Sequence, residues 1–198
     1  MSDTAIERNT DGLERILAKI NALPEGSSEG NVSHAYATAI GCEWTGHIPM
    51  EYFQRADGTY ISNVNSFAFK GAQITGVDMP DTIEYIGYRA FYGCLDITSI
   101  RLPLNLISLG EEAFYLNWSL SGNIVVPEKC KYLNEYAFGT CVSLAEVTFK
   151  GTPTSIANNV FNGCSSLTTI NVPWAEGAVA NAPWGATKAT INYNCTVD

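Results

Sequence analysis

Residues 83–103 read IEYIGYRAFYGCLDITSIRLP, and the same features return at regular intervals along the chain. The phenylalanine of the Ala-Phe pair recurs as Phe69, Phe91, Phe114, Phe138 and Phe161. The position three residues later holds Ala72, Cys94, Asn117, Cys141 and Cys164. A nearly fixed period of about 23 residues predicts a repeat architecture in which each unit forms one coil.

Each unit also contains two apolar residues two positions apart, such as Ile100 and Leu102, followed in most units by proline. A period of two predicts short strands whose side chains point alternately inward and outward. No single unit can bury its apolar side alone, so the units must stack and share one core. The sequence therefore predicts an α/β solenoid of the leucine-rich repeat class with an N-terminal helix. We expect five units of about 23 residues, a length typical of such repeats, with a parallel sheet on one side and short helical turns on the other.

The chain divides into five segments on these patterns. We predict an amphipathic helix over residues 1–23, a linker over 24–30, an N-terminal cover of the solenoid over 31–59, leucine-rich repeats over 60–173 and a C-terminal cap over 174–198. The linker reads PEGSSEG, and proline with glycine is typical of a helix stop. In the cap, Trp184 falls one repeat period after Phe161, where the next repeat phenylalanine is due.

The N-terminal segment has a heptad pattern. Ile6, Leu13 and Ile20 are seven residues apart, and Ile16 and Leu23 form a second series displaced by three. Such positions are the a and d positions of a coiled coil. A helix of roughly 20 residues is marginal alone, so it needs a partner. Two interpretations stay open: a helix that serves as a cap on the solenoid or as a docking segment, or a short coiled coil that forms a homotrimer.

Charge and motifs exclude several classes of function. The net charge is −9 and the basic residues are scattered, which argues against nucleic acid as a partner. No apolar run is long enough for a secretory signal or a membrane span, so we expect neither a signal peptide nor membrane insertion. The common nucleophile, zinc and phosphate-loop motifs are missing, and there are only two histidines. We therefore expect no enzyme activity and no cofactor.

The cysteines have a structural explanation. Cys94, Cys141 and Cys164 share one repeat position, which predicts a ladder of buried, reduced thiols. A metal site would need converging pairs of ligands, and no Cys-x-x-Cys pair exists. Cys42 and His47 are five residues apart without a second pair, so we predict no metal site.

The alternation also predicts which side chains face outward and could bind a ligand. On the strand face the candidate binding residues are Asp78, Ser99, Arg101, Asn123, Glu146 and Thr148. A second candidate surface is aromatic, because exposed tyrosine and tryptophan give large contact areas and stack on sugar rings. Its candidate residues are Tyr88, Tyr92 and Trp118. A merely solvated sheet face and tyrosines packed between coils are the alternative interpretations.

The units, with the consensus IGxxAFxGCxxLTSIxLP, resemble the BspA-type leucine-rich repeats of bacterial surface proteins and of gut Firmicutes and their phages. The resemblance covers residues 60–194, and it departs at Asn117, at Lys150 and at one inserted residue in the third unit. The segment SSLTTINVPWAEGAVANAPWGATKATINYN looks like a C-terminal cap of phage-encoded members, and NTDGLERILAKI looks like the start of tail-associated phage proteins.

This resemblance implies binding and lends no catalytic residues. We expect a non-catalytic virion protein of the phage tail or tail fibre, made in the host cytoplasm, that serves host attachment or assembly. Its expected partners are other virion proteins, host-surface proteins or glycans. The alternatives are an extracellular adhesin on the bacterial cell surface and an intracellular module that binds and inhibits another protein.

Overall fold

The structure is a computed structural model that describes residues 45–55 and 57–196. These ranges exclude the predicted helix over 1–23, the predicted linker over 24–30 and about half of the predicted cover over 31–59. The described part contains a 3-10 helix, Met50–Phe53. Its strands are β1 Thr45–Ile48, β2 Asn63–Val64, β3 Gln73–Val77, β4 Tyr85–Ile86, β5 Ser108–Leu109, β6 Gly122–Val126, β7 Tyr132–Leu133, β8 Leu144–Phe149, β9 Ser155–Ile156, β10 Thr169–Asn171 and β11 Thr190–Asn192.

The strands form a parallel solenoid with a sheet on each of two sides. The longer strands build a sheet in the order β11-β10-β8-β6 and a separate pair β1-β3, while the two-residue strands build a second sheet in the order β2-β4-β5-β7-β9. Every strand pair in these sheets is parallel. The predicted parallel-sheet solenoid is confirmed.

The prediction of short helical turns opposite the longer strands is wrong for the described residues. That side carries the second sheet, and each of its strands leads into a tight turn at the Ala-Phe pair. Arg89 and Glu112 both have φ of 53° just before this pair, a left-handed conformation that interrupts a helix. The N–H of Phe91 donates to the carbonyl of Ala113 in the next coil at 2.8 Å. Such bonds between coils alternate with bonds inside the turn, as where the N–H of Tyr92 donates to the carbonyl of Arg89 at 3.3 Å.

The core is a continuous column of aromatic rings. The five repeat phenylalanines stack with neighbouring centroids 4.9, 4.9, 5.4 and 6.0 Å apart, and their planes differ by 11° at most. Ala90, Ala113 and Ala137 beside them are fully buried, which lets neighbouring coils approach closely. Phe53 contacts Phe69 at one end of the column, with centroids 6.1 Å apart. Stacked coils thus share one core, as the repeat pattern requires.

The thiol ladder also lies where the repeat places it. Cys94, Cys141 and Cys164 are buried and free. Their thiols donate to the carbonyls of Phe69, Phe114 and Phe138 at 2.9, 3.1 and 3.0 Å. Asn117 occupies the equivalent position in the third unit, where it is fully buried.

Segments outside the five repeat units flank the described solenoid at both ends. At the N-terminal end, β1 extends the strand side by pairing with β3, and Gln54 bridges Tyr60 in an antiparallel turn around Asp57. At the C-terminal end, Trp184 is fully buried, and its indole N–H donates to the carbonyl of Ala180 at 2.7 Å.

The longer-strand side is interrupted at the second unit. Residues 98–102, between β3 and β6, form no strand, and within the described chain the only backbone hydrogen bonds across this segment are at Thr98. Thr98 donates to the carbonyl of Thr75 at 3.2 Å and accepts from Ser121 at 3.1 Å. Beyond it the sheet opens, and Ile100, predicted to be in the core, is only half-buried.

Candidate functional site

The opening in the sheet forms a cleft with a volume of about 300 Å³. Its polar wall contains His47, Asp78, Ser99 and Arg101, and its apolar lining is Met50, Val77, Met79 and Ile100. We call it the His47–Arg101 cleft. It brings together three of the predicted binding residues, Asp78, Ser99 and Arg101.

His47 reaches the cleft from β1 because Gly76 leaves room for its ring. A Cβ added to Gly76 would lie 2.8 Å from His47 Nδ1, which is too close for any larger residue without movement of the imidazole. The other ring nitrogen, Nε2, lies 2.9 Å from Asp78 Oδ2. Both side chains stay more than half exposed, at 53% and 57%. The pair therefore forms an accessible wall of the cleft.

Arg101 is held from the opposite side. Its Nη1 lies 2.9 Å from Asp81 Oδ1, and the same oxygen accepts the N–H of Leu104 at 2.9 Å. The hydrogen bond from Arg101 holds the pKa of Asp81 below its ordinary value. Only Nη1 of the guanidinium takes part in this ion pair, so the remaining N–H groups can bind a ligand.

The backbone of the cleft adds further hydrogen-bonding capacity. Within the described residues, the N–H groups of Ser99, Ile100 and Arg101 donate to no protein acceptor. Unpaired backbone groups need water or a ligand. The cleft can thus offer N–H donors, a carboxylate and a guanidinium to one ligand.

The other predicted strand-face residues lie further along the solenoid and bind each other. Asn123 Nδ2 donates to Thr148 Oγ1 at 3.1 Å, and Asn171 Nδ2 donates to Glu146 Oε1 at 2.6 Å. Thr148 was expected to face outward toward a ligand, but it is buried at 8% exposure. Longer amide side chains on both neighbouring strands close over its hydroxyl, so the prediction of an exposed Thr148 is wrong.

The predicted aromatic residues divide between two places. Tyr88 and Tyr92 meet at Arg89, whose guanidinium carbon lies 4.8 and 5.1 Å from their ring centroids. Arg89 also binds Glu112 through two hydrogen bonds of 2.6 and 3.2 Å, and the bond to Glu112 raises the pKa of Arg89. Trp118 lies on the next corner of the third coil, 49% exposed. The two tyrosines also contact the neighbouring coils, with ring centroids 5.1 Å apart for Tyr88 and Phe67 and 5.5 Å apart for Tyr92 and Tyr115.

Sequence reasoning missed His47 as a cleft residue. It weighed His47 only as a metal ligand with Cys42, which lies outside the described residues. The predicted oligomerisation residues Ile6, Leu13, Ile16, Ile20 and Leu23 also lie outside them. In residues 45–55 and 57–196, no group of three or more His, Cys, Asp or Glu side chains could hold a metal ion. No helix within those same ranges is long and apolar enough to cross a membrane.

Comparisons with known proteins agree with this architecture. The family model described as BspA type leucine rich repeat region matches residues 62–179 in six copies. A leucine rich cell surface protein from Faecalibacterium prausnitzii aligns with a TM-score of 0.56 and 25% identity over 62% of this chain. This chain spans only 34% of that protein. No curated protein matches the chain.

Two further solved structures are similar at lower scores. The T. pallidum leucine rich repeat protein has a TM-score of 0.49 and 23% identity, over 65% of this chain and 72% of that one. A leucine-rich repeat protein from Bacteroides ovatus has a TM-score of 0.46 and 22% identity, over 63% of this chain and 39% of that one.

Proposed function

Because the chain belongs to the BspA type leucine rich repeat family, we propose that it is a non-catalytic binding protein whose His47–Arg101 cleft holds a ligand on a bacterial surface. The observation that carries the proposal is the cleft itself. It opens where the sheet loses its strand pairing, and Asp78, Ser99 and Arg101 surround about 300 Å³ of space there.

The chemistry of the cleft favours a ligand that both donates and accepts hydrogen bonds. Asp78 supplies acceptor oxygens on one wall, and Arg101 supplies donors on the other. Met79 and Ile100 add apolar surface between them. A peptide segment or a hydroxyl-rich group fits this mixture, because a few placed polar groups on an apolar lining are typical of ligand sites.

Binding to intact bacterial cells tests the cleft. The double variant Asp78→Asn, Arg101→Gln removes both charges. Asparagine matches aspartate in size, and glutamine is shorter than arginine but stays polar. We expect it to bind cells at least roughly tenfold more weakly than the unchanged chain, since each lost charged hydrogen bond costs about 1.5–3 kcal/mol. The matched control is Asn123→Ala, which changes an exposed residue of the same strand face outside the cleft. Equal binding by all three proteins would refute a role for the cleft.

We propose a phage virion, at the tail or tail fibre, as the setting for this binding. The resemblance of residues 165–194 to a phage-encoded cap supports it. The heptad residues Ile6 to Leu23 would join the solenoid to other copies of the chain or to other virion proteins. The chain should then be found at fixed copy number in purified particles by quantitative mass spectrometry. Its absence from particles would refute this setting.

The bacterial cell surface is a second setting, favoured by the likeness to the F. prausnitzii cell surface protein. A protein of the bacterium itself would be accessible to a membrane-impermeant label on intact cells and would occur without any phage. If the chain is present inside the cells and the label does not reach it, the intracellular inhibitor is favoured instead.

A further inference from the structure

Two tyrosines outside the cleft share one row of the second sheet. The register pairs Tyr85 of β4 with Ser108 of β5, and Ser108 with Tyr132 of β7. Both tyrosines are 45% exposed, while Ser108 between them is half-buried. We call these three residues the Tyr85–Tyr132 row. It lies on the other sheet from the His47–Arg101 cleft.

The backbone fixes the spacing of this row. The N–H groups of Ile107 and Ser108 donate to the carbonyl of Glu84 at 2.7 and 3.2 Å. The N–H groups of Lys131 and Tyr132 donate to the carbonyl of Ile107 at 2.8 and 3.2 Å. Neighbouring parallel strands lie about 4.8 Å apart, so the two tyrosines stand about 9.6 Å apart on a rigid sheet.

Unlike Tyr88, Tyr92, Tyr115 and Tyr136, these two tyrosines have no ring partner among the described residues. Tyr92 and Tyr115 stack on each other with centroids 5.5 Å apart, and Tyr115 meets Tyr136 at 5.9 Å. Tyr85 and Tyr132 make no such contact within residues 45–55 and 57–196. Both side chains are nearly half exposed, and Ser108 between them in the row is short.

The surroundings of the row favour a neutral, hydroxyl-rich ligand. Glu84 and Lys131 lie in the adjacent row on the same coils as the two tyrosines, and both are exposed. Their opposite charges make the surroundings of the row neutral, although the whole chain has a net charge of −9. Ser108 lies between the rings and the two charged groups border them, so the strip is not the contiguous apolar area that a protein partner usually covers.

We propose that the Tyr85–Tyr132 row is a stacking site for an extended β-1,4-linked glycan. In such a chain every second sugar presents the same face, and alternate rings repeat at a separation comparable to two strand spacings. One sugar ring then stacks on Tyr85, and the ring two sugars further along the chain stacks on Tyr132. The sugar between them lies over Ser108. Glu84 and Lys131 hydrogen-bond hydroxyls at the margin of the strip.

Isothermal titration calorimetry of the full chain tests this site with chitohexaose and cellohexaose as β-1,4-linked probes and maltohexaose as the α-1,4-linked control. We expect binding of at least one β-linked probe and none of maltohexaose. Tyr85→Ala or Tyr132→Ala should each weaken binding about fivefold through the lost ring stacking. Tyr85→Phe and Tyr132→Phe keep the ring and should retain most of the affinity.

Val125→Ala is the control, because it removes a comparably exposed apolar side chain from the other sheet, where no ligand site is assigned to it. It should bind the probes like the unchanged chain. Failure to bind either β-linked probe, or full binding by the Tyr85→Ala, Tyr132→Ala double variant, would overturn the glycan site. Neither result would bear on the proposed ligand site in the cleft, which is tested separately by the binding of the cleft variants to cells.

Discussion

Asn117 interrupts the buried thiol ladder and offers a direct test of how the coils pack. Its side chain is 0% exposed, and neither Oδ1 nor Nδ2 has a hydrogen-bond partner within the described residues. The cysteine thiols at the same repeat position donate to the carbonyl of the phenylalanine in the preceding coil. By this register, a cysteine at position 117 would face the carbonyl of Phe91. We therefore predict that Asn117→Cys stabilises the protein.

The expected gain follows from the unpaired amide. A buried polar group without a partner costs about 1–3 kcal/mol. Cysteine removes that cost, fits a position that accepts cysteine in three other coils, and adds a weak hydrogen bond. We expect Asn117→Cys to raise the free energy of unfolding by about 1–3 kcal/mol. The reverse change, Cys141→Asn, should lower it by a similar amount.

Urea denaturation under reducing conditions measures both effects. An unchanged slope of the transition with a shifted midpoint would report stability alone. Asn117→Ala is the control, since it removes the unpaired amide without supplying a thiol and leaves a small cavity. It should fall between the unchanged chain and Asn117→Cys. A loss of stability in Asn117→Cys would mean that the amide is satisfied by its surroundings, and the reasoning would be refuted.

Three further predictions follow from the packing. Gly110→Ala places a Cβ 2.7 Å from the carbonyl carbon of Gly87 in the preceding coil and should cost about 1–3 kcal/mol in thermal or urea unfolding. Stability equal to that of the unchanged chain would contradict the close approach. Trp184→Ala should lower the free energy of unfolding by about 3–5 kcal/mol, because the ring is fully buried in the cap. A decrease below about 1 kcal/mol, as for a surface substitution, would mean that the cap does not stabilise the fold. Burial raises the pKa of Cys94 to about 12, so iodoacetamide at mildly alkaline pH should modify the more exposed Cys195 and leave Cys94 unmodified. Peptide mass spectrometry measures both, and equal labelling would refute the burial of Cys94.

The repeat pattern predicted the coil, the stacked phenylalanines and the thiol ladder, because each depends on spacing alone. It did not predict the second sheet, since strands of two residues such as Tyr85–Ile86 are too short to show an alternation. The expected exposure of Thr148 failed for another reason. Alternation gives the side of the sheet, but the burial of Thr148 depends on Asn123 and Asn171 in neighbouring coils.

The candidate site was predicted only in part. Asp78, Ser99 and Arg101 belong to the repeat, so their side of the sheet could be deduced. His47 comes from outside the repeat and reaches the cleft only because Gly76 leaves space for it. The missing strand pairing at residues 98–102 has no signature in the sequence, because Ile100 and Leu102 match the pattern of the other units.

The measurement that tests the central claim most directly is a binding isotherm of the labelled full chain on intact bacterial cells, compared with its Ser99→Trp variant. The indole would fill the His47–Arg101 cleft without changing the core. Thr190→Trp is the matched control, since Thr190 occupies the same row of the sheet at the C-terminal end. We predict that Ser99→Trp loses cell binding while Thr190→Trp retains it. Equal binding by both variants would contradict a ligand in the cleft.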